Sequence, residues 1–285
     1  MRPFIIVMAV LLQAFATSAS SAQIQRHVMG DDDNSLTYFT LQGEITSGDH
    51  FDFDHINDKP LVILNSVGGN METAMALGRE LRKADARAIV RKTEVCISAC
   101  VFVFAGAVDR TVFGRIGIHR PYPTRTGDET QEQAQQEFKQ MKSKSQRYLE
   151  QMNISVSLLN EMIRVPSSRV HYLSDGELAK LGLTGKDPAY QYKQDSEDAA
   201  RYGISRRELL RRRRKSRAKC SSISAKYHPW KKVQCEDATM WGLSVSEMKQ
   251  RQQLVRTHCT KQKYGDKGQA LKCQISIMQN GLNSQ

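Results

Sequence analysis

Two side chains near the middle of the chain are of the types that acyl transfer needs. Ser98 lies in the segment Cys96-Ile97-Ser98-Ala99-Cys100, and His119 follows 21 residues later on an expected short strand. A histidine that accepts the proton of a serine hydroxyl turns that hydroxyl into a nucleophile. Gly68 and Gly69 follow an apolar run, where backbone N–H groups could donate to an oxyanion. Each feature alone also fits a helix N-cap, a structural histidine or a turn; together they predict a serine hydrolase site.

Short strands that alternate with helices must position these residues. Residues 36–45 are rich in β-branched and aromatic side chains and predict a strand, and residues 60–65 predict a second, fully buried one. The segment Ser66-Val67-Gly68-Gly69 is expected to break that strand. Apolar residues then recur at helical spacing from Asn70 to Ala84, and residues 87–92 fit another strand. This alternation predicts an α/β domain with a mainly parallel sheet.

A long helix with one narrow apolar stripe is expected from Glu129 to Met152. Two explanations of the stripe stay open: it packs along the side of the domain, or it contacts a partner subunit. Further on, Ser174 and Glu177 have the spacing of a capping box, and Gly182 is expected to end that helix.

Basic charge is concentrated in the last third of the chain. The protein has 42 Lys and Arg against 30 Asp and Glu, and residues 190–285 hold 21 basic and 8 acidic side chains. Hydrophobic residues make up 40% and charged residues 25%, which excludes a mainly disordered, collagen-like or multi-span membrane protein. The run Arg211-Arg212-Arg213-Arg214-Lys215 predicts a solvated basic helix or linker that contacts an anionic lipid, envelope or nucleic-acid surface.

The first 22 residues have the features of a secretory signal. Arg2 gives a positive start, Phe4 to Leu12 is almost entirely apolar, and Ser20-Ser21-Ala22 offers small residues before a cleavage site. The apolar stretch is too short to span a bilayer comfortably, and an uncleaved anchor is the alternative. We therefore expect an exported protein, either periplasmic or secreted.

Six cysteines follow that signal, an even number that predicts disulfides in an oxidising compartment: Cys96, Cys100, Cys220, Cys235, Cys259 and Cys273. The sequence does not choose their pairing. A zinc site on the last four is the alternative, ranked lower because no C-x2-C pair is present, so no metal is expected. Cys96 and Cys100 bracket Ser98, either bridged at a turn that enters a helix or as two buried thiols.

Three segments in the same order resemble the successive motifs of ClpP-type serine peptidases: Asn65-Ser66-Val67-Gly68-Gly69, Cys96-Ile97-Ser98-Ala99-Cys100 and Gly117-Ile118-His119-Arg120-Pro121. They look closest to the exported ClpP-like branch, whose serine sits in a Cys-x-Ser-Ala-Cys context. The long helix falls where that family has its handle helix. The resemblance covers roughly residues 36–185 and leaves the basic tail unexplained.

The resemblance implies a ClpP/crotonase-like fold of stacked ββα units. It implies Ser98 as the nucleophile, His119 as the general base, and the amides of Gly69 and Ala99 as oxyanion donors. An acyl-enzyme on Ser98 would be hydrolysed by water, with no metal and no cofactor. The resemblance also implies a homo-oligomer, and a peptide or protein as the substrate.

The sequence departs from that family at positions that matter for catalysis. Val67 stands where the family has a proline, and Val170 stands where it has the aspartate that orients the histidine. Asp175 and Asp109 are the candidate third members, and a Ser–His dyad or an inactive domain are the alternatives. Nothing in the sequence indicates docking to an unfolding ATPase.

A serine–lysine dyad is a further mechanistic alternative. Lys139, Lys142 and Lys144 lie on the long helix and could reach Ser98 across a subunit boundary. The competing explanation is a solvated helix face, which the intervening glutamines favour.

The expected organisation is a signal at 1–22, a ClpP-like domain at 23–190, a basic linker or helix at 191–219, and a small disulfide-stabilised basic module at 220–285. The predicted function is that of a serine peptidase-like hydrolase that acts on peptides outside the cytoplasm. The alternative is a catalytically inactive ClpP-fold binding or scaffold protein whose basic tail attaches to anionic envelope surfaces.

Overall fold

The computed structural model describes residues 22–30, 36–54, 56, 59–121, 130–259 and 266–281. The chain divides into two compact units, residues 1–187 and residues 188–285. Apart from Ala22, the expected export signal lies outside the described residues. No helix within the described ranges combines the length and the apolar character that are needed to cross a membrane.

A central sheet flanked by helices forms the first unit, and its architecture is mixed α/β. The strands are β1 Gln23–Met29, β2 Leu36–Ile45, β3 Leu61–Gly69, β4 Arg87–Val90, β5 Val95–Ile97, β6 Asp109–Val112, β7 Arg115–Ile118, β8 His171–Tyr172 and β9 Gly185–Lys186. The helices are α1 Met71–Lys83, α2 Cys100–Gly106, α3 Gln131–Gln151, α4 Ser157–Arg164 and α5 Asp175–Leu181.

Strand β3 lies at the centre of the sheet. Its first residues pair in parallel with both β2 and β4, and beyond the end of β4 its Ser66 pairs with Cys96 of β5. The strand order is β8-β7-β5-β3-β4-β6-β9, and β2 joins β3 off this path with β1 beside it. Only β1, β8 and β9 pair antiparallel with their neighbours among the described strands, so the prediction of a mainly parallel sheet is confirmed.

Strand β3 runs to Gly69, through the segment that was expected to break it. Strand β2 shifts register between Gln42 and Glu44, where Gly43 has a φ of 93°, and then resumes pairing with the two glycines at the end of β3. A bulge bends a strand without ending its ladder. The expected break is therefore wrong, because a partner strand holds the Gly-Gly segment in the sheet.

The expected helix at Asn70–Ala84 is confirmed as α1, with Asn70 as its N-cap. Helix α1 packs backbone against backbone on the fully buried α2, since a Cβ atom on Gly106 would lie 2.1 Å from the carbonyl oxygen of Gly78. Helix α3 closes this side of the core, where the Tyr148 hydroxyl donates to the carbonyl of Phe102 at 2.6 Å. These contacts fix the helix that follows Ser98.

Helix α3 begins after Thr130, which forms a capping box with Gln133, while Glu129 lies outside the described residues. Only the second half of its apolar stripe is buried, at Ser145, Tyr148 and Leu149. Helix α5 has the predicted Ser174–Glu177 capping box and ends at Gly182 in the left-handed conformation, so both predictions are confirmed.

The second unit is helical within its described residues. Its helices are α6 Pro188–Arg201, α7 Arg206–Cys220, α8 Pro229–Trp241, α9 Val245–His258 and α10 Lys267–Asn280. Disulfides join Cys220 to Cys235 and Cys259 to Cys273. The zinc alternative is therefore wrong, because a cysteine in a disulfide has no thiolate to give a metal.

The segment 191–219, expected as a solvated helix or linker, forms most of α6 and α7 and is part of this packed unit. Leu209 and Ser216 of α7 are buried. In the basic run, Arg211 and Arg212 both donate to Glu208, and Arg213 donates to two aspartates of α6. Most of the run is thus engaged inside the unit, while Arg214 and Lys215 are exposed.

Candidate active site

Ser98 occupies a sharp turn between β5 and α2. Its φ of 56° is left-handed, a conformation that serine rarely adopts. Its N–H donates to the carbonyl of Gly117 at 3.0 Å, and its own carbonyl accepts from the N–H of Val101 at 3.1 Å. A strained strand–turn–helix of this kind presents a side chain above the ends of the strands. Ser98 is accordingly half-buried between the buried residues Ile97 and Ala99.

A disulfide between Cys96 and Cys100 closes this turn, with the two Cα atoms 5.3 Å apart. Cys96 belongs to β5, and Cys100 is the first residue of α2. The left-handed Ser98 brings the two Cα atoms within bridging range, so the bridge alternative is confirmed and the alternative of two free thiols is wrong. The nucleophile candidate therefore sits inside a covalent loop whose ends belong to a strand and a helix.

The two glycines at the end of β3 allow close backbone approach, Gly68 to the Ser98 turn and Gly69 to β2. A Cβ atom on Gly68 would lie 2.7 Å from the Cβ of Ser98 and 2.9 Å from the amide nitrogen of Ala99. Gly69 has a φ of 134°, and a Cβ atom there would lie 2.2 Å from the carbonyl oxygen of Ile45. A side chain at Gly68 would push β3 away from the turn, and one at Gly69 would push it away from β2.

Ser66 fixes this stretch, a role that the sequence did not reveal. Its buried hydroxyl donates to the carbonyl of Gly43 at 2.6 Å and accepts from the N–H of Gly68 at 3.1 Å. The Gly68 N–H is thus engaged with a side chain, so it is not the donor that an oxyanion would use. A small hydroxyl residue in a buried strand directly before two glycines is the signal that could have indicated this role.

The sheet register brings the candidate residues to one edge. Ser66 pairs with Cys96, and Cys96 pairs with Ile116, so three parallel strands share one row. Gly69 and His119 stand three residues beyond that row, and β5 between them ends at Ile97 and turns through Ser98 and Ala99 into α2. Adjacent strands lie about 4.8 Å apart, and ligands of open α/β sheets bind at the carboxyl ends of such strands.

His119 follows β7 and is buried, with 8% of its surface exposed. Its Nδ1 lies 3.0 Å from the carbonyl oxygen of Arg120. A carbonyl oxygen only accepts, so Nδ1 carries the hydrogen and Nε2 of the neutral ring keeps its lone pair. That is the tautomer a general base needs.

Arg120 is itself anchored to the end of α4. Its N–H donates to the carbonyl of Val165 at 2.8 Å, and its Nε donates to the carbonyl of Ile163 at 2.7 Å. These two bonds fix the residue whose carbonyl accepts from the imidazole. Sequence reasoning missed this contact because it joins segments more than 40 residues apart.

Val170 lies beside His119 in the register of the sheet. Strand β8 runs antiparallel to β7, with Tyr172 opposite Gly117 and His171 opposite Ile118, so Val170 and His119 flank the same end of this short ladder. A Cβ atom on Gly117 would lie 2.7 Å from Cγ1 of Val170, which places that side chain at this end of β7. An apolar side chain thus occupies the position where the family resemblance implies an aspartate.

Neither candidate third member lies at this edge. Asp175 begins α5, and the antiparallel direction of β8 carries it toward the opposite end of β7, since the N–H of Leu173 already bonds to Ile116. Asp109 begins β6 and pairs with Arg87, which pairs with Leu61, so it lies level with the start of β3. His119 stands three residues beyond the row of Ser66, Cys96 and Ile116, which is eight residues further along the strand direction. Eight extended residues span about 26 Å. The expectation that Asp175 or Asp109 orients His119 therefore does not fit the topology.

The lysines of α3 lie on a solvated face. Lys144 forms an ion pair with Glu72 of α1, and both side chains are exposed. Lys139 is exposed and Lys142 half-buried. The described residues also contain no group of three or more His, Cys, Asp or Glu that could hold a metal ion.

Among solved structures, this chain is similar to a mutant of ClpP1 from Listeria monocytogenes. The TM-score is 0.35 and the sequence identity 19%, over 45% of this chain and 72% of that chain. No protein-family model matches the sequence, and no curated protein matches it. A likeness at this level carries no argument about activity.

Proposed function

We propose that this protein is an exported ClpP-like serine peptidase that cleaves peptide bonds by acyl transfer through Ser98. The proposal includes a ClpP/crotonase-like fold of stacked ββα units. The observation that supports it is the row of parallel strand ends that carries Gly69, Ala99 and His119 beside the strained, disulfide-closed turn of Ser98. The right tautomer of His119 adds to that support.

Each residue of the site has a separate role in the proposed reaction. The Ser98 hydroxyl oxygen attacks the carbonyl carbon of a peptide while Nε2 of His119 takes its proton. The amides of Gly69 and Ala99 donate to the resulting oxyanion. When the C–N bond breaks, the imidazolium returns the proton to the leaving amine. Water, deprotonated by His119, then hydrolyses the acyl-enzyme and regenerates the Ser98 hydroxyl.

Arg120 supplies part of what an aspartate would supply. Its carbonyl holds the imidazole in the tautomer in which Nε2 keeps its lone pair, and a wrong tautomer is what costs about 10⁴ in rate when the triad aspartate becomes asparagine. A carbonyl carries only a partial charge and stabilises the imidazolium less than a carboxylate does. We therefore infer a working Ser–His dyad that is slower than a full triad.

The surroundings inferred for this enzyme are oxidising. Three disulfides are typical of exported proteins, and we place the protein in a periplasm or outside the cell. We also infer a homo-oligomer, a peptide or protein substrate, and no ATPase partner.

Labelling of the full chain with a fluorophosphonate probe tests the proposal. The Ser98→Ala variant is expected to lose labelling, and His119→Ala is expected to slow it by about 10² or more. Ser222→Ala and His228→Ala are matched controls on exposed residues of the second unit, and both should label like the wild type. Absence of labelling in the wild type, under both oxidising and reducing conditions, would overturn the proposal.

Val170→Asp tests the role given to Arg120. A carboxylate beside the imidazole raises the pKa of His119, so the pH at which labelling is half-maximal should rise. The maximal rate should change less than about tenfold, since the tautomer is already set. A gain of about 10³ or more would mean that the carbonyl does not orient the ring.

The alternative function is a binding or scaffold protein that attaches to anionic envelope surfaces. The observation that favours it is the exposure of Arg207, Arg214 and Lys215 on one face of α7. Charge reversal at Arg214 and Lys215 should abolish binding to vesicles that contain anionic lipid. Reversal at Lys249 and Lys272, which lie on other helices, is the matched control.

A further inference from the structure

The helical second unit contains an open cavity of about 820 Å³ among α6, α7, α8, α9 and α10. Its wall combines two aromatic rings, two adjacent carboxylates and several aliphatic side chains, including Tyr202, Trp241, Glu236, Asp237, Leu209 and Leu271. All these residues lie within residues 188–285, so the cavity belongs to this unit alone. Its volume is that of a small-molecule site rather than of a single metal ion.

The aromatic residues of the wall form a pair. The ring centroids of Tyr202 and Trp241 are 4.8 Å apart, with the ring planes at 67°. Both side chains are half-buried. Aromatic faces carry negative partial charge, and tryptophan attracts cations most strongly among the aromatic side chains.

Two of the three carboxylates of the wall, Glu236 and Asp237, lack a cationic partner within the described residues. No hydrogen bond or ion pair within residues 130–259 and 266–281 reaches the side chain of Glu236 or Asp237. Burial and the neighbouring Glu236 raise the pKa of Asp237. Asp237 lies one helical turn before Trp241 on α8, and both line the cavity. Burial, followed by the charge of Asp237, also raises the pKa of Tyr202.

The arginines of the wall do not neutralise these carboxylates. Arg201 pairs with Asp198, and Arg213 pairs with Asp198 and with Asp195. Arg217, the remaining arginine of the wall, forms no ion pair with either carboxylate in the described structure. Residues 190–285 hold 21 basic and 8 acidic side chains. Two carboxylates left without a cation in so basic a unit mark a place for a cation from outside.

We propose that this cavity binds an organic cation, namely a primary ammonium group on an aliphatic stem. The ammonium donates to Asp237 and Glu236 and faces the rings of Tyr202 and Trp241, while the stem packs against the aliphatic wall. A free polyamine and a lysine side chain share this chemistry. The inference is independent of the activity proposed for Ser98.

Fluorescence of Trp241 reports binding directly. The chain has two tryptophans, and Trp230 does not line the cavity, so the full chain with Trp230→Phe carries a single reporter. Cadaverine and Nα-acetyl-lysine N-methylamide are the two amine probes. 1-Pentanol has the stem without the charge, and sodium chloride matches the ionic strength.

A saturable response to at least one amine, with none to 1-pentanol or salt, is the expected result. Tighter binding of cadaverine would assign the site to polyamines, and tighter binding of the lysine derivative would assign it to lysine side chains; both support the shared chemistry. An equal response to salt, or no response to either amine, would overturn the proposal. This comparison needs no substitution within the cavity.

Asp237→Asn in the same background should weaken amine binding about tenfold or more, because hydrogen bonds to charged groups contribute most to such sites. Glu197→Gln is the matched control, since Glu197 is exposed and outside the cavity. It should bind within about twofold of the unmodified chain. Unchanged affinity in Asp237→Asn, with circular dichroism showing an intact fold, would overturn the proposal.

Discussion

The two units of this chain are stabilised in different ways. The first has one continuous apolar core, in which side chains such as Phe39, Leu64 and Leu77 are fully or almost fully buried between the sheet and α1, α2 and α3. The second has a small cluster around Ala238 and Met248 and carries two disulfides. Small units bury a smaller fraction of their surface and need such additions. One chain thus relies on burial in the first unit and on covalent and ionic links in the second.

Each unit nevertheless contains a buried carboxylate held by arginine. Asp187 of the first unit contacts Arg82 at 3.0 Å. Asp195 of the second contacts Arg206 at 3.1 Å and also Arg213. This similarity allows the same substitution to be compared against two different backgrounds.

The largest effect is expected from Asp187→Asn and Asp195→Asn. Each leaves arginines without their buried partner, which costs about 3–5 kcal/mol. The first unit should stay folded at 25 °C, while the second should lose its cooperative transition, because its apolar core is smaller. Both tryptophans lie in the second unit, so their fluorescence in urea follows that unit, and far-UV circular dichroism follows the whole chain. Loss of the cooperative unfolding transition in both units would contradict this difference between them. Glu150→Gln and Glu197→Gln, on exposed side chains, are the controls.

Removal of disulfides should have the next largest effect. Cys220→Ser/Cys235→Ser opens a loop of sequence separation 15 and should cost about 3 kcal/mol. Cys96→Ser/Cys100→Ser opens a loop of separation 4 and should cost about 2 kcal/mol. Urea midpoints measure both. A larger loss in the first unit would show that the bridge beside Ser98 does more than close a short loop.

A smaller effect is expected from Tyr148→Phe in the first core. The buried hydroxyl donates to Phe102, and its loss should cost about 1 kcal/mol, because the carbonyl is left without that donor. Burial raises the pKa of Tyr148, so the hydroxyl stays protonated at neutral pH. Tyr192→Phe on an exposed side chain is the control for the urea midpoint. No change in Tyr148→Phe would mean that water replaces the lost donor.

The smallest effect concerns acid stability of the second unit. Hydrogen bonds from Arg211 and Arg212 lower the pKa of Glu208 from 4.5 to about 2. A carboxyl whose pKa falls on folding stabilises the folded state above its unfolded pKa, and that contribution is lost as the pH drops from 4.5 toward 2. Glu208→Gln should therefore lower Tm at pH 7 and change it little at pH 2. An equal shift at both pH values would assign the effect to packing.

Local patterns were sufficient for several elements. The helical spacing after Asn70, the pairing of Ser174 with Glu177, and the stop at Gly182 predicted α1 and α5 closely. Such signals depend on residues within one or two turns of each other, so the sequence alone contains them. The sequence also predicted a strand-to-helix turn at Ser98 and a short strand at His119; in the structure Ser98 lies between β5 and α2, and His119 directly follows β7.

Long-range contacts decided the rest. Strand β3 reaches Gly69 because β2 resumes pairing beyond its bulge, and Asp109 is excluded from the site because the register places it at the amino ends of the parallel strands, whereas His119 follows a carboxyl end. The carbonyl of Arg120 is held by α4, and the basic run of α7 is largely used by acids of its own unit. The sequence by itself determined where helices start and stop and which residue types were available for chemistry. Only the tertiary structure decided which of them meet, because pairing between distant segments depends on sheet register and burial that no local spacing encodes.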